Sequence, residues 1–371
     1  MKAIVNGSIL LDGREVTGRA LVFEEKIIGI TEPDGVPAGC EVIDAQGLLV
    51  SPGLIDLHIH GYVDRDASDG DARGILDMAK ALLRAGVTSF LPTTMTLPLP
   101  DLDRALEAAA QAMRESESPS FPGSRVLGVH AEGPFINPKR KGAQAEGAIA
   151  SPDAGFLLRR PGLVRIATVA PEMPGCMECV RELSAHGVTV SIGHSDATFE
   201  QAMDAVAAGA GYVTHLFNAM SPMHHRAPGV TGAALASGVY AELIADTQHV
   251  HPGLFGMLRK VKGEKLLLVT DCTRAGGIGD GDFTLGGQAI RVRGLSCTLE
   301  DGTIAGSVMT LAQAVLSFSS HAGVSLAEAV PHASLYPARA IGLGDQKGSL
   351  EPGRDADVAL FGGDMKAHAA F

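Results

Sequence analysis

The chain is short of positive charge: 30 Lys and Arg stand against 42 Asp and Glu, a formal net charge of −12. A nucleic-acid binder carries a basic stripe, so that class is excluded. An anionic small substrate would need a local positive field set against the global one. Cysteine is scarce and odd in number, five residues at 40, 176, 179, 272 and 297, which is no disulfide framework. The lone "CMEC" at Cys176–Cys179 has no second pair nearby and reads as helix packing, not a zinc ribbon. No apolar run approaches the ~18 residues of a membrane span. "MKAIVNGSILL" runs directly into a strand-like pattern without the layout of a signal peptide. Low-complexity segments are absent too. The expectation is a soluble cytoplasmic protein with no nucleic-acid or membrane partner.

What the chain does have is apolar material, 46% of 371 residues, enough for one large domain or two ordinary ones. Between residue 50 and about 340, short Val-, Ile- and Leu-rich runs alternate with helical stretches. The runs are "GLIDLHIH", "GVTSFLPTT", "SRVLGVHAEGP", "LVRIATVAPE", "GVTVSIGHS", "GYVTHLFNAM", "AELIADTQHV" and "EKLLLVTDCT". They lack clean period-two alternation, as parallel strands buried on both faces should. Helices are expected over Asp71–Ala85, Leu102–Arg114 and Thr198–Ala208, the last capped by Ser195 or Asp196. Eight such units fit an α/β fold of the (β/α)8 TIM-like barrel type. A doubly wound sheet is the rival, but no Gly-rich phosphate fingerprint follows the first strand, and "GGIGDGD" at 276–282 has the wrong context and spacing.

The flanks read differently. Residues 1–50 hold short strands with turns at "NGS", "LDGRE" and "PDG", and the end reads "GSLEPGRDADVALF". Neither flank is long enough to fold alone, so 1–50 and 345–371 are expected to pair into a small β-domain beside a barrel of 51–344. A strand-rich insertion is expected near 282–306.

In such a barrel, chemistry collects at the C-terminal ends of the strands. Those ends carry His58 and His60 on strand one, Glu132 on three, His194 on five, His215 on six, His249 on seven and Asp271 on eight. In "PGLIDLHIHG", His58 and His60 stand one residue apart and share a face. Alone, the pair is as consistent with half-exposed histidines as with a metal grip. Imidazoles and a carboxylate gathered on one rim favour the grip, and suit Zn²⁺ or Fe²⁺ better than the all-oxygen cages of Mg²⁺ or Ca²⁺. Asp271 ends the apolar run "LLLVTD" and reads as a general base beside a metal, with capping of the next turn as the alternative.

Together, "PGLIDLHIHG", "HAEGPFINPKRKGA", "GHSDAT", "THLFNAM", "LVTD" and "GSLEPGRDAD" resemble the N-acetylglucosamine-6-phosphate deacetylase family of the amidohydrolase superfamily. The match runs in order along nearly the whole chain. It implies removal of acetate from N-acetyl-D-glucosamine 6-phosphate, in amino-sugar catabolism or cell-wall sugar recycling. By that resemblance Glu132, His194 and His215 are the principal metal ligands, and His58 and His60 the added ligands of members that hold two ions. It makes Asp271 the catalytic acid/base. It assigns Ala143, Gln144, Asn218, Ala219, Arg226, His249, Ile304, Ala305 and Gly306 to the substrate, with Arg226 and His249 on the phosphate. Part of that grip comes, in the family, from the neighbouring subunit of a dimer, so a homodimer is expected. The implied cofactor is one or two divalent ions, Zn²⁺ first and Fe²⁺ second. His224 and His225 have no role by the resemblance and read as solvated loop residues.

Two departures stand out. After "HIHG" the family commonly has another Gly, whereas "YVDRDASDG" follows here, and the chain stops at "MKAHAAF" where relatives usually add one or two strands. Two rivals are weighed. The first is another amidohydrolase, such as a cyclic-amide hydrolase or a deaminase; many of the cyclic-amide type bridge two metals with a modified lysine on strand four, but "TVAPE" has none and Glu132 on strand three takes the bridging place. A silent, metal-stabilised binding protein would keep Asp271 and every ligand without using them.

Overall fold

The computed structural model describes residues 1–11 and 13–371. Of the turn expected at "LDGRE", Asp12 lies outside the described residues. The eight apolar runs form eight parallel strands: Leu54–Ile59, Val87–Thr94, Val129–Glu132, Val164–Val169, Thr189–Ile192, Ala210–Val213, Tyr240–Ile244 and Leu266–Val269. Each pairs in parallel with the next, from strand one through strand eight. The ring closes where the Asp271 N–H donates to the His58 carbonyl at 2.8 Å and the His60 N–H to the Cys272 carbonyl at 2.9 Å. Strand one thus meets strand eight at the residues expected to carry chemistry.

Ile55, Leu57, Leu91, Ile166, Tyr212, Ile244, Leu267 and Val269 fill the barrel as one buried cluster, closed by Ala338 and Ile341. The outward residues, among them Leu54, Phe90, Val129, Val190 and Leu268, pack in the larger cluster with the surrounding helices. Burial on both faces explains why the runs showed no alternation. Strand one also contains a bulge. Phe90 pairs with Asp56 and Pro92 with Ile59, so three steps on one strand face two on the other. The extra residue turns His58 inward although Leu57 already belongs to the interior cluster.

Helices cover the barrel at Ala72–Arg84, Leu99–Ser116, Cys176–Ala185, Phe199–Ala207, Gly229–Ala236, Phe255–Lys262 and Leu311–Ala322. The expected cap of the helix after strand five is corrected. Thr198 caps it, in a reciprocal box with Gln201. Ser195 and Asp196 are spent elsewhere: Ser195 Oγ donates to Glu172 at 2.7 Å, and Asp196 pairs with Lys139 and Arg140 in the loop after strand three. "CMEC" opens its helix with both cysteines buried and unbonded, as packing requires.

The flanks form two sheets around Ile4, Leu21, Phe23, Val50, Val358 and Leu360. One holds four strands, all from residues 2–44. The other holds five and joins the two ends, Val358–Phe361 running antiparallel to Leu49–Pro52. The insertion is a three-stranded antiparallel sheet, Gly281–Leu285, Gln288–Arg293 and Ser296–Thr298. Leu285, Ile290 and Cys297 bury against Met95 and Ala305, which sets this sheet as a wall at the barrel mouth. Among the described residues no helix is long and apolar enough to cross a membrane.

Candidate active site

Four histidines and two carboxylates converge at the mouth. Glu132 ends strand three, and its Oε1 lies 3.1 Å from His194 Nε2, 3.0 Å from His215 Nε2 and 3.5 Å from His58 Nε2. Its Oε2 lies 3.3 Å from His60 Nε2. Asp271 Oδ1 stands 3.2 Å from His60 Nε2 and 3.4 Å from His58 Nε2. Two groups that could each hold a metal ion result, His58–His60–Glu132 and Glu132–His194–His215, each with its donor atoms within 4.8 Å of one another and with Glu132 common to both.

Backbone conformation helps to aim these groups. His194, His215 and Asp271 lie just past the ends of their strands with φ of 48°, 30° and 49°, in the left-handed region. Such strain costs on the order of 1–3 kcal/mol per residue and persists only where the surroundings over-determine it. One of those surroundings is Gly306, where a Cβ would sit 2.7 Å from the Asp271 carbonyl oxygen. The neighbouring Ser307 N–H donates to that same oxygen at 2.7 Å.

The imidazole nitrogens show what the cluster accepts. Nδ1 of His60, His194 and His215 faces the carbonyls of Thr93 (3.0 Å), Arg140 (2.9 Å) and Asn218 (3.1 Å). Nδ1 of His58 faces a carboxylate oxygen of Glu242 at 2.9 Å. Carbonyls and carboxylates only accept, so every Nδ1 carries the proton, and a neutral ring presents the Nε2 lone pair inward. Those Nε2 atoms then oppose one another at 3.3 Å (His58–His60) and 3.1 Å (His194–His215). Facing lone pairs at that separation repel unless positive charge lies between them.

The electrostatics agree. Burial pushes the His58 pKa down, but the carboxylates of Glu242, Asp271 and Glu132 outweigh it and hold it at about 9. His60 is raised well above its ordinary value: burial opposes the rise, and Asp271 and Glu132 drive it. Asp271 is depressed to about 2, burial being overcome by His58 and His60. Glu132 is likewise held well below the ordinary range by His194 and His58 against burial. Without an ion, protons supply the cation; the donor set fits a divalent ion in their place. A third group, His58, His130 and Glu242, also gathers. It is a hydrogen-bond network, because His130 spends Nδ1 on the Leu57 carbonyl and Nε2 on the Thr168 hydroxyl. Burial first, and then His58, lower the His130 pKa to about 4, so this ring stays neutral.

A cavity of about 260 Å³ opens over the cluster, lined by His60, Glu132, His194, His215, Asp271, Ala143, Gln144, Asn218, Ala219, His249, Ile304 and Gly306. Met95 and Leu285 complete its apolar wall. His58 lies fully buried beneath. Gln144 donates from Nε2 to Glu132, and its Oε1 accepts from the Thr96 N–H at 2.7 Å. It therefore steadies the shared carboxylate as well as lining the cavity. His249 directs Nδ1 at Asp246, 2.7 Å away. Two assigned residues are not brought to the cavity. Ala305 is buried in the cluster behind the wall, its N–H bonded to the Cys297 carbonyl. Arg226 is exposed, its guanidinium against His225 Nε2 at 2.8 Å, with no carboxylate partner among the described residues.

Sequence reasoning passed over Glu242, Asp56 and Asp246. Glu242 is fully buried in strand seven, and a carboxylate inside "AELIAD" was the available signal. Asp56 accepts from Thr270 Oγ1 at 2.7 Å and from the N–H groups of His58 and Thr270, both at 3.3 Å. It stitches the bulge in strand one to strand eight, and burial raises its pKa to about 7 against those hydrogen bonds. A larger cavity, about 600 Å³, lies toward the N-terminal ends of strands one and eight. Its arginines are paired, Arg259 with Glu328 at 2.9 Å and Arg339 with Glu264 at 2.7 Å.

The model of the amidohydrolase family matches residues 49–371. The chain is 38% identical to the N-acetylglucosamine-6-phosphate deacetylase of Bacillus subtilis (strain 168), over 91% of this chain and 86% of that one. It is also 38% identical to the N-acetylgalactosamine-6-phosphate deacetylase of Escherichia coli O157:H7, over 92% and 90%. Among solved structures, the N-acetylglucosamine-6-phosphate deacetylase of Pasteurella multocida superimposes with a TM-score of 0.94 at 32% identity, covering 100% of this chain and 97% of that one.

Proposed function

The chain belongs to the amidohydrolase family, and from that premise we propose that it hydrolyses N-acetyl-D-glucosamine 6-phosphate to D-glucosamine 6-phosphate and acetate. The observation that carries this reading is the meeting of Glu132, His194, His215 and Asp271 on the floor of a cavity whose rim bears Asn218 and His249. Relatives named for this activity over most of the chain's length support it.

We read Glu132, His194 and His215 as ligands of one divalent ion, Zn²⁺ or else Fe²⁺, and His58, His60 and the shared Glu132 as ligands of a second. When bound, such an ion supplies Lewis acidity toward the acetyl carbonyl and acidifies a water. Asp271 is the proton carrier. Its depressed pKa keeps Oδ1 ionised at neutral pH, ready to accept a proton from the attacking water. The same oxygen returns the proton to the departing nitrogen. Met95 and Leu285 keep one wall of the cavity dry. His249 offers Nε2 to the phosphate, its ring oriented by Asp246. Arg226 is exposed and does not line its own cavity, so as a phosphate ligand it serves a neighbouring copy in a homodimer. Five free cysteines support a reducing compartment, the cytoplasm. Residues 51–344 are the catalytic unit, and 1–50 with 345–371 the β-unit beside it.

Acetate release tests the function. N-acetylglucosamine 6-phosphate should far exceed its unphosphorylated counterpart, and N-acetylgalactosamine 6-phosphate tests the sugar itself, since one relative is named for that epimer. Arg226→Ala should cost about 2–5 kcal/mol with the phosphorylated substrate, the scale for truncating one partner of a buried charge pair. With unphosphorylated sugar the loss should largely vanish. His249→Ala should show the same pattern more weakly. Equal losses on both substrates would overturn the phosphate assignment.

A further inference from the structure

We propose that Glu242 is a positioning residue that makes His58 a strong ligand and couples the two ligand sets, so that the chain holds its second ion tightly only while this carboxylate is present. The inference rests on the two-ion reading above and assigns to a residue outside both ligand sets the control of one of them.

Glu242 lies mid-strand, fully buried, and both its oxygens are engaged. Oε2 accepts from His58 Nδ1 at 2.9 Å and from the His215 backbone N–H at 2.8 Å, while Oε1 accepts from the Tyr212 hydroxyl at 3.0 Å. All three partners are donors, which is what an ionised carboxylate requires. No Lys or Arg neutralises it among the described residues; the imidazoles beside it are His58, at 2.9 Å, and the neutral His130, at 4.0 Å.

The four ligand histidines are not treated alike. His60, His194 and His215 each give Nδ1–H to a neutral backbone carbonyl. Only His58 gives it to a carboxylate. A carboxylate behind an imidazole raises its basicity, fixes its tautomer and holds the ring in place, and losing such a partner weakens a metal site by about 10–100-fold. His58 needs that support because it lies within the bulge and has moved off the regular face of its strand. The same Oε2 holds the backbone of His215, whose φ of 30° is unfavourable for a non-glycine residue. One oxygen atom therefore touches a side chain of one set and the main chain of the other. His215 also has its own carbonyl partner at Asn218, so its ring should outlast the loss of the charge, whereas His58 should not.

Glu242→Gln is the informative change. The amide oxygen can still accept from His58 and His215, and the amide nitrogen can donate to Tyr212 if that hydroxyl turns, so shape and packing survive while the charge is lost. Protein stripped with a chelator would be titrated with Zn²⁺ against a competing indicator, with circular dichroism to check the fold. Wild type should bind two ions per chain. Glu242→Gln should bind one of them about 10–100-fold more weakly and keep the other, and in a His58→Ala background the same change should weaken that ion no further. Tyr212→Phe, which spares Oε2, should leave both affinities in place. Two unchanged ions in Glu242→Gln would overturn the proposal, as would equal weakening of both. Wild type binding fewer than two ions would instead overturn the two-ion reading, a result that no Glu242 variant is needed to see. Should Glu242→Gln not fold, Glu242→Asp withdraws the carboxylate by one methylene and carries the same expectation of selective loss.

Discussion

The two halves of the cluster are built on opposite plans. His58 and His60 come from one strand tip, two residues apart, and reach their places across a bulge. Glu132, His194 and His215 come from three strands and are aimed by turns, two of them with positive φ. The first half is contiguous in sequence but leans on a carboxylate 184 residues away. The second is scattered in sequence but each histidine is held by a neutral carbonyl close to it in the fold. Contiguity therefore says little about self-sufficiency: the motif easiest to see is the one that depends most on the rest of the barrel.

The sharpest way to break this comparison is Glu132→Gln, because both halves share that carboxylate. Both ions should be lost in a binding titration, and acetate release should fall to background. Retention of either ion would show that the halves are independent. Asp271→Asn comes next, with turnover lower by roughly 10²–10⁴ while the metal content stays normal. Near-normal turnover would mean that another group moves the proton.

A subtler test uses pH. In metal-free protein the His58 pKa stands at about 9, above its ordinary 6.5. A raised pKa contributes stability that is complete below 6.5 and is lost as pH rises through about 9. The melting temperature of chelated protein should therefore fall across that window. An ion must displace the same proton, so with a saturating divalent ion the melting temperature should stay level over the same range, and its margin over chelated protein should widen. Parallel curves with and without the ion would separate His58 from the metal. Smallest is the control: Thr198→Ala removes the cap of the helix after strand five and should cost about 1 kcal/mol in denaturant unfolding, with both ion affinities intact.

The strands, their order and the rim on which the polar residues sit were legible because each rests on local pattern. Buried parallel strands read as apolar runs, and in this fold chemistry gathers where those runs end. His58, His60, Glu132, His194, His215 and Asp271 could all be named on that rule. The resemblance of short motifs supplied the candidate substrate residues, and most of those line one cavity. The cap at Thr198 was missed because Ser195 and Asp196 are equally good caps by type; their bonds to Glu172, Lys139 and Arg140 took them out of contention.

By itself, then, the sequence determined the barrel and the identity of the groups at its mouth, since runs of apolar residues and the polar residues that end them depend on neighbours a few positions away. Only the tertiary structure decided how those groups are aimed and supported. The bulge that turns His58 inward exists only as a mismatch between two paired strands. The placement of Ala305 behind the wall depends on the insertion folding over it. The partnership of Glu242 with His58 and His215 arises because closing a ring leaves only strand eight between strand seven and strand one. A contact made where a barrel closes leaves no period in the chain, because it joins residues whose separation in sequence is set by the helices between them.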